Sequence, residues 1–219
     1  MFANNLGPMI SHVVWDWNGT LLDDLDIVLE ALNVGIADFG VDPVDDHEYR
    51  NHFTRPIRLF YESLLARKVS DMEWDLLNKT FHEEYFSRVH RARLAKDAMA
   101  AIDHAEARGW GQSLLSMTTQ EQLNEIVASF QIADRFLRID GLRGETGGLK
   151  AGFLADHLGR LGVDPTRALV IGDTPDDAAA ARHVGARVVL YEGGSHHAEE
   201  LTSLGVPVVD TLVAALEIA

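Results

Sequence analysis

Residues 13–24 read VVWDWNGTLLDD, and His12 to Trp15 forms a short β-favouring run that stops abruptly at Asp16. An aspartate at the carboxyl end of a first strand lies where open α/β sheets place their ligands. Gly19 permits a tight backbone turn and Thr20 adds a hydroxyl. Taken alone, Asp16 serves equally well as a brace for that turn. Alternation puts Trp15 and Trp17 on the face opposite Asp16, so packing is their expected role.

Three later segments share the same outline. Gly111 to Ser116 contains Leu114 and Leu115 and ends on a serine ahead of a helical pattern. Ser116 there can hold a phosphate oxygen with nearby backbone N–H groups, or simply cap the helix; Thr118 and Thr119 are rival candidates. Lys150 follows the glycine-rich stretch GLRGETGG and precedes a helix; it can neutralise a carboxylate and a phosphoryl group, or be a surface charge. Residues 170–181 read VIGDTPDDAAAA, with Asp173 at a strand end and Asp176 and Asp177 in the turn that opens a helix. Such acids are often only helix-dipole partners. Clustered at strand ends, they also form the hard, oxygen-rich site that magnesium favours.

The rest of the chain supplies the frame. RALVIG (167–172) and RVVLY (187–191) are brief apolar runs bounded by turn residues, as suits strands buried on both faces of a parallel sheet. Helical patterns lie between the strands: Asp97 to Arg108, Thr119 to Phe130, Ala151 to Leu161 before Gly162, and Pro175 to Val184 before Gly185. Alternating strands and helices predict an α/β fold, a Rossmann-like parallel sheet with right-handed crossovers. From Leu25 to Arg93 the alternation fails and helical periodicity takes over, with one helix along Ile27, Leu29, Leu32, Ile36 and Phe39 and others near 57–66 and 72–89. This predicts a helical cap of residues 23–95 inserted into a core of residues 1–22 plus 96–219.

The order Asp-x-Asn-Gly-Thr, strand-Ser, Lys and Gly-Asp-x-x-x-Asp resembles the four motifs of the haloacid dehalogenase-like superfamily, over nearly the whole chain. Within it the chain is most similar to phosphoglycolate phosphatase-like members with helical caps. The resemblance implies a magnesium-dependent phosphohydrolase acting on a small phosphorylated metabolite. It makes Asp16 the nucleophile that forms an aspartyl-phosphate. It gives Mg2+ to Asp16, the backbone carbonyl of Asn18 and Asp173, with Asp177 holding a water of the metal. Ser116 and Lys150 match the phosphate-binding hydroxyl and the charge-stabilising lysine, and Thr20 a hydroxyl bracing the first loop, counted with the substrate-binding residues. Asp176 falls one place off the pattern.

The departure is Asn18, where phosphatases of this family carry the aspartate that serves as general acid and then general base. A carboxamide exchanges no proton near neutral pH, and general acid–base catalysis is typically worth about 10²–10⁴-fold. Two alternatives follow: a catalytically impaired phospho-ligand-binding protein, or a phosphonatase-like hydrolase of carbon–phosphorus bonds using a cap lysine among Lys68, Lys79 and Lys96. In the cap, HFTRPIR (52–58) offers Arg55 and Arg58 to an anionic substrate, or to surface carboxylates. His196 and His197 read as a solvated turn.

Composition limits the partners. The chain has 219 residues, 47% of them hydrophobic and 24% charged, with a formal net charge of −15 and no cysteine. That charge argues against a nucleic-acid partner, and the basic stretches Arg55 to Arg58 and Arg88 to Arg93 are short, the second reading as a solvated helix face. No segment has the roughly 18 apolar residues of a membrane span, and the first residues lack a secretory pattern, so a cytoplasmic location is expected.

Overall fold

The computed structural model describes residues 9–144 and 149–218. The glycine-rich stretch ahead of Lys150 therefore lies partly outside the described residues, as do the first eight. Six parallel strands form one sheet in the order β5-β4-β1-β6-β7-β8. They are β1 (His12–Trp15), β4 (Gly111–Thr119), β5 (Arg138–Leu142), β6 (Ala168–Gly172), β7 (Arg187–Tyr191) and β8 (Val208–Val209). The central strand β1 pairs with β4 on one side and β6 on the other, Trp15 lying opposite Leu114 and Ile171.

Alternation along each strand divides the core into two layers. Val13 and Trp15 face one layer with Leu114, Leu169 and Ile171, covered by α5 (Ala98–Ala107), α6 (Gln120–Ser129) and α10 (Leu212–Glu217). Val14, Leu115 and Val170 face the other, under α7 (Ala151–Leu161), α8 (Pro175–Val184) and α9 (Ala198–Ser203). Trp15 and Trp17 are fully buried in the first layer, Trp17 meeting the Phe130 ring edge-on at 5.9 Å. Helices α7 and α8 stop at Gly162 and Gly185, both with left-handed backbone, the conformation that glycine adopts most easily.

Between β1 and α5 the chain builds four helices: α1 (Leu25–Ala37), α2 (Asp46–His52), α3 (Ile57–Leu64) and α4 (Asp71–Arg88). They enclose an apolar cluster of their own, with Leu32, Ile36, Tyr49, Phe60, Tyr61 and Leu77 at its centre. A capping box of Ser70 and Glu73 starts α4, which satisfies donors that the first turn leaves open. The block joins the sheet domain through a two-stranded antiparallel pair, β2 (Leu22–Asp23) with β3 (Arg93–Leu94). Arg88 and Arg91 both pair with Glu30, so this basic stretch is matched by acid from α1. Among the described residues no helix is long and apolar enough to cross a membrane.

Candidate active site

The carboxyl ends of β1, β4 and β6 converge beneath the helical block, and the acids gather there. Asp16, Asp173 and Asp177 are all buried and offer oxygens within 4.8 Å of one another. Lys150 Nζ donates to Asp16 Oδ1 at 2.5 Å and to Asp177 Oδ1 at 2.7 Å. Burial works against the lysine's charge, but the two carboxylates outweigh it and hold its pKa above the usual range. Burial pushes Asp16 well up, with Lys150 opposing and the neighbouring acids adding to the rise. Asp173 is pushed up to about 6 by burial and by Asp177. Three carboxylates facing one lysine thus leave the pocket short of positive charge. The three acids offer only oxygen donors, a set that fits a hard divalent cation.

Local backbone chemistry fixes each acid. Asp177 closes a capping box with Thr174 at the start of α8, its Oδ2 accepting from the Thr174 amide at 3.2 Å while its other oxygen takes Lys150. Asp177 therefore does the work of a helix cap and of a partner for Lys150 at once. Asp176 Oδ2 accepts from the backbone N–H of Lys150 at 3.0 Å, orienting the residue that carries the cation. Asp173 is fully enclosed: Thr20 Oγ1 donates to its Oδ1 at 3.1 Å and the Ser195 N–H to its Oδ2 at 2.7 Å. A Cβ on Gly19 would lie 2.6 Å from Asp173 Oδ2, and one on Gly194 2.2 Å from it. Only glycine fits at either position without moving the carboxylate.

Thr20 is fully buried and does not line the cavity, so the structure sets it behind Asp173 rather than against a substrate. Ser116 does line the cavity, but β4 runs past it to Thr119 with a register shift after Leu115. The strand end expected at Ser116 is thus an irregular continuation, and the N-cap of α6 is Thr119. Ser116 Oγ accepts from the Thr118 N–H at 3.0 Å.

The Asn18 side chain is held at both its polar atoms. Its Nδ2 donates to Asp24 Oδ2 at 2.7 Å and to Tyr85 Oη at 2.8 Å. Its Oδ1 accepts from the Thr118 hydroxyl at 2.7 Å and, more weakly, from Ser116 at 3.4 Å. The amide orientation follows from the network, since the Asp24 carboxylate requires a donor. Asp24 is buried, and burial raises its pKa against hydrogen bonds from Tyr85, Asn18 and the Gly19 N–H. Sequence reasoning missed Asp24 and Tyr85. The first sits in plain view at the end of the quoted motif, while the second is 61 residues further on along α4 and carries no local signal.

A cavity of about 190 Å³ runs from Asp16, Lys150 and Asp177 up into the helical block. Arg55 lines it and makes no hydrogen bond or ion pair among the described residues, whereas Arg58 pairs outside with Asp71 at 2.7 Å. The chain has four lysines, and Lys150 alone lines the cavity. Lys68 and Lys79 pair at the surface with Glu62 and Glu83, and Lys96 is exposed. No cap amine thus meets the site, as a Schiff-base route to carbon–phosphorus cleavage would need.

The loop 192–197 closes the pocket's side. His196 is buried, not solvated as its sequence context suggests: its ring lies 5.4 Å from Phe53 and its Nδ1 3.0 Å from Glu200. Arg50 of α2 donates to the carbonyls of Glu192 at 3.4 Å and His196 at 3.2 Å.

Comparison with known proteins agrees with this geometry. The sequence pattern of the haloacid dehalogenase-like hydrolases matches residues 13–191. A phosphoglycolate phosphatase of Synechococcus elongatus is 22% identical over 201 residues, spanning 87% of this chain and 88% of that protein. Another from Mesorhizobium japonicum is 24% identical over 189 residues, spanning 83% and 82%. Among solved structures, a haloacid dehalogenase-like hydrolase from Streptococcus pneumoniae superposes with a TM-score of 0.83 at 18% identity, covering 95% of this chain and 98% of that one.

Proposed function

The chain belongs to the haloacid dehalogenase-like hydrolase family, and on that premise we propose that it is a magnesium-dependent phosphatase working through an aspartyl-phosphate on Asp16. The observation that carries this reading is Lys150 bridging Asp16 and Asp177 at the floor of a cavity roofed by helices. A small phosphorylated metabolite is the substrate class, as the names of the relatives also suggest.

In the first step an Asp16 oxygen attacks phosphorus, the ester P–O bond breaks, and the leaving group departs with the bonding pair. In the second, water attacks the same phosphorus, phosphate leaves and the Asp16 carboxylate is restored. Lys150 stabilises charge on Asp16 and on the phosphoryl oxygens, and Ser116 holds one of those oxygens. Magnesium, held by Asp16, Asp173 and the Asn18 carbonyl with Asp177 behind, would supply further charge neutralisation. Thr20 and Gly19 keep Asp173 aimed at it. Residues 23–95 act as the cap that excludes bulk water.

Phosphate release from a panel of esters with and without magnesium, together with acid trapping of a phosphoenzyme, tests the proposal. Turnover that survives Asp16→Asn would sink it. The second reading, a phospho-ligand-binding protein without turnover, draws on the fully engaged Asn18 amide. Saturable phosphate binding without a single turnover would favour that reading.

A further inference from the structure

Two observations that the hydrolysis reading does not use point to the body of the substrate. The first is the wall of the cavity above Asp16. Apart from Asp24, whose carboxylate is taken up by Asn18 and Tyr85, and Arg55, Asn78 and His82, every cap residue lining it is aliphatic or aromatic. Phe53, Ile57, Trp74, Phe81 and Phe86, all only half-buried, are among the residues that line it. Of the three tyrosines that line it, Tyr49, Tyr61 and Tyr85, two have engaged hydroxyls, that of Tyr85 by Asp24 at 2.5 Å and that of Tyr49 by Ser195. Arg55 is close enough to Asp176 of the core for its positive charge to act on that carboxyl.

A hydroxylated or carboxylated body enclosed by this wall would lose hydrogen bonds to water and find few in return. Each buried group left so costs roughly 1–3 kcal/mol. A flat apolar ring meets the reverse situation, since rings gain from edge and face contacts beyond the area they bury. The whole cavity, its phosphoryl end included, measures about 190 Å³, somewhat more than the roughly 150 Å³ at which an apolar cavity accepts benzene.

The second observation is independent of the wall. Both amide hydrogens of Asn18 are taken, by Asp24 and Tyr85, so Asn18 has neither a proton nor a free hydrogen bond for the departing oxygen. A phenolate leaves without such help far more readily than an alkoxide.

Resting on the phosphatase reading and narrowing it, we propose that this site takes aryl phosphate monoesters, the ring held between the aromatic side chains of the cap. The wall and the leaving-group chemistry each select the same class.

Non-hydrolysable phosphonates separate ring recognition from reactivity. With the full chain and magnesium, binding of benzylphosphonate, methylphosphonate and phosphonoacetate is measured by calorimetry. Benzylphosphonate should bind at least about tenfold tighter than methylphosphonate, as expected for burying one ring. Phe81→Leu and Trp74→Leu, which keep apolar bulk but lose the aromatic face, should each narrow that ratio severalfold. Equal affinities, no binding of either, or tighter binding of phosphonoacetate would overturn the proposal. Tight benzylphosphonate binding with no phosphate release from phenyl phosphate would defeat the hydrolysis reading and leave ring recognition standing. Brisk hydrolysis of 2-phosphoglycolate without any aryl preference would do the opposite.

Discussion

The Asn18 side-chain nitrogen lies 2.7 Å from Asp24 Oδ2, so the carboxylate that the amide meets is one that the amide itself occupies. Exchanging the two groups, Asn18→Asp with Asp24→Asn, keeps an acid–amide pair while moving the acid toward the leaving group. The double variant should raise alkyl phosphate turnover by about 10²-fold and flatten the dependence of rate on leaving-group acidity. Asn18→Asp alone puts two carboxyl groups in contact, and their repulsion should give it a lower Tm than the double variant at neutral pH. An unchanged rate ratio between phenyl and alkyl phosphates in the double variant would refute this account.

Asp16→Asn should reduce phosphate release to background while far-UV circular dichroism stays native. Lys150 keeps its 2.7 Å contact with Asp177 in that variant, so the pocket retains its cation. Loss of the native spectrum would mean that Asp16 acts on folding, and the activity result would then carry no mechanistic weight.

Magnesium should raise the Tm of the wild type, because an ion that binds only the folded state stabilises it by mass action. Asp173→Ala removes the carboxylate that Thr20 and Ser195 orient, and the shift should disappear with it. The same magnesium-induced shift in both proteins would put the ion elsewhere.

Arg55→Ala should raise KM severalfold more than it lowers kcat, the pattern of lost binding shared by ground and transition states. Arg58→Ala, whose side chain pairs with Asp71 outside the cavity, serves as the control. Matching kinetics for the two variants would return Arg55 to the surface.

Away from the site, His157 and His12 share the hydroxyl of Ser113, each at 2.8 Å, and His157 Nδ1 meets Asp140 at 2.8 Å. Burial, with the charge of His157 adding to it, lowers His12 to about 4, and burial lowers His157 as well. The folded state therefore resists protons that an unfolded histidine takes up near pH 6.5. The contribution of the two histidines should be full above that pH and fall as pH drops toward 4, by at most about 1.4 kcal/mol per unit for each, while the raised carboxyls of Asp16 and Asp173 act in the opposite sense. Tm measured from pH 7 to 4.5 should show the decline, and His12→Asn should make it shallower; an equal slope would exclude His12 as its source.

How far the sequence could be read depended on whether one local pattern governed each element. Strands β1, β6 and β7 are unbroken apolar runs between turn residues, and α7 and α8 end on glycines. Strand β5 escaped because Arg138 and Asp140 interrupt its apolar pattern, and their compatibility with a buried strand comes from pairing with each other and with His157. Helix α2 is polar almost throughout, with Tyr49 its one buried residue. The acids and Lys150 could be assembled by motif order, since strand ends in such a sheet share one edge. The engagement of Asn18 could not, because it needs Tyr85 from the far end of the helical block.

The loop at 192–197 ties together two parts of the molecule that the sequence keeps far apart. It fixes Asp173 through the Ser195 N–H and grips the helical block through Arg50 and Phe53. Undocking that block would strip the loop of its outer anchors while Asp173 still leaned on it. Amide exchange at Ser195 should therefore slow when a phosphonate is bound, and exchange indifferent to ligand would break the link. The consequence is one of timing: on the proposed mechanism Asp173 would reach its working orientation only as the helical block docks, so readiness for chemistry and shelter from bulk water would arrive together.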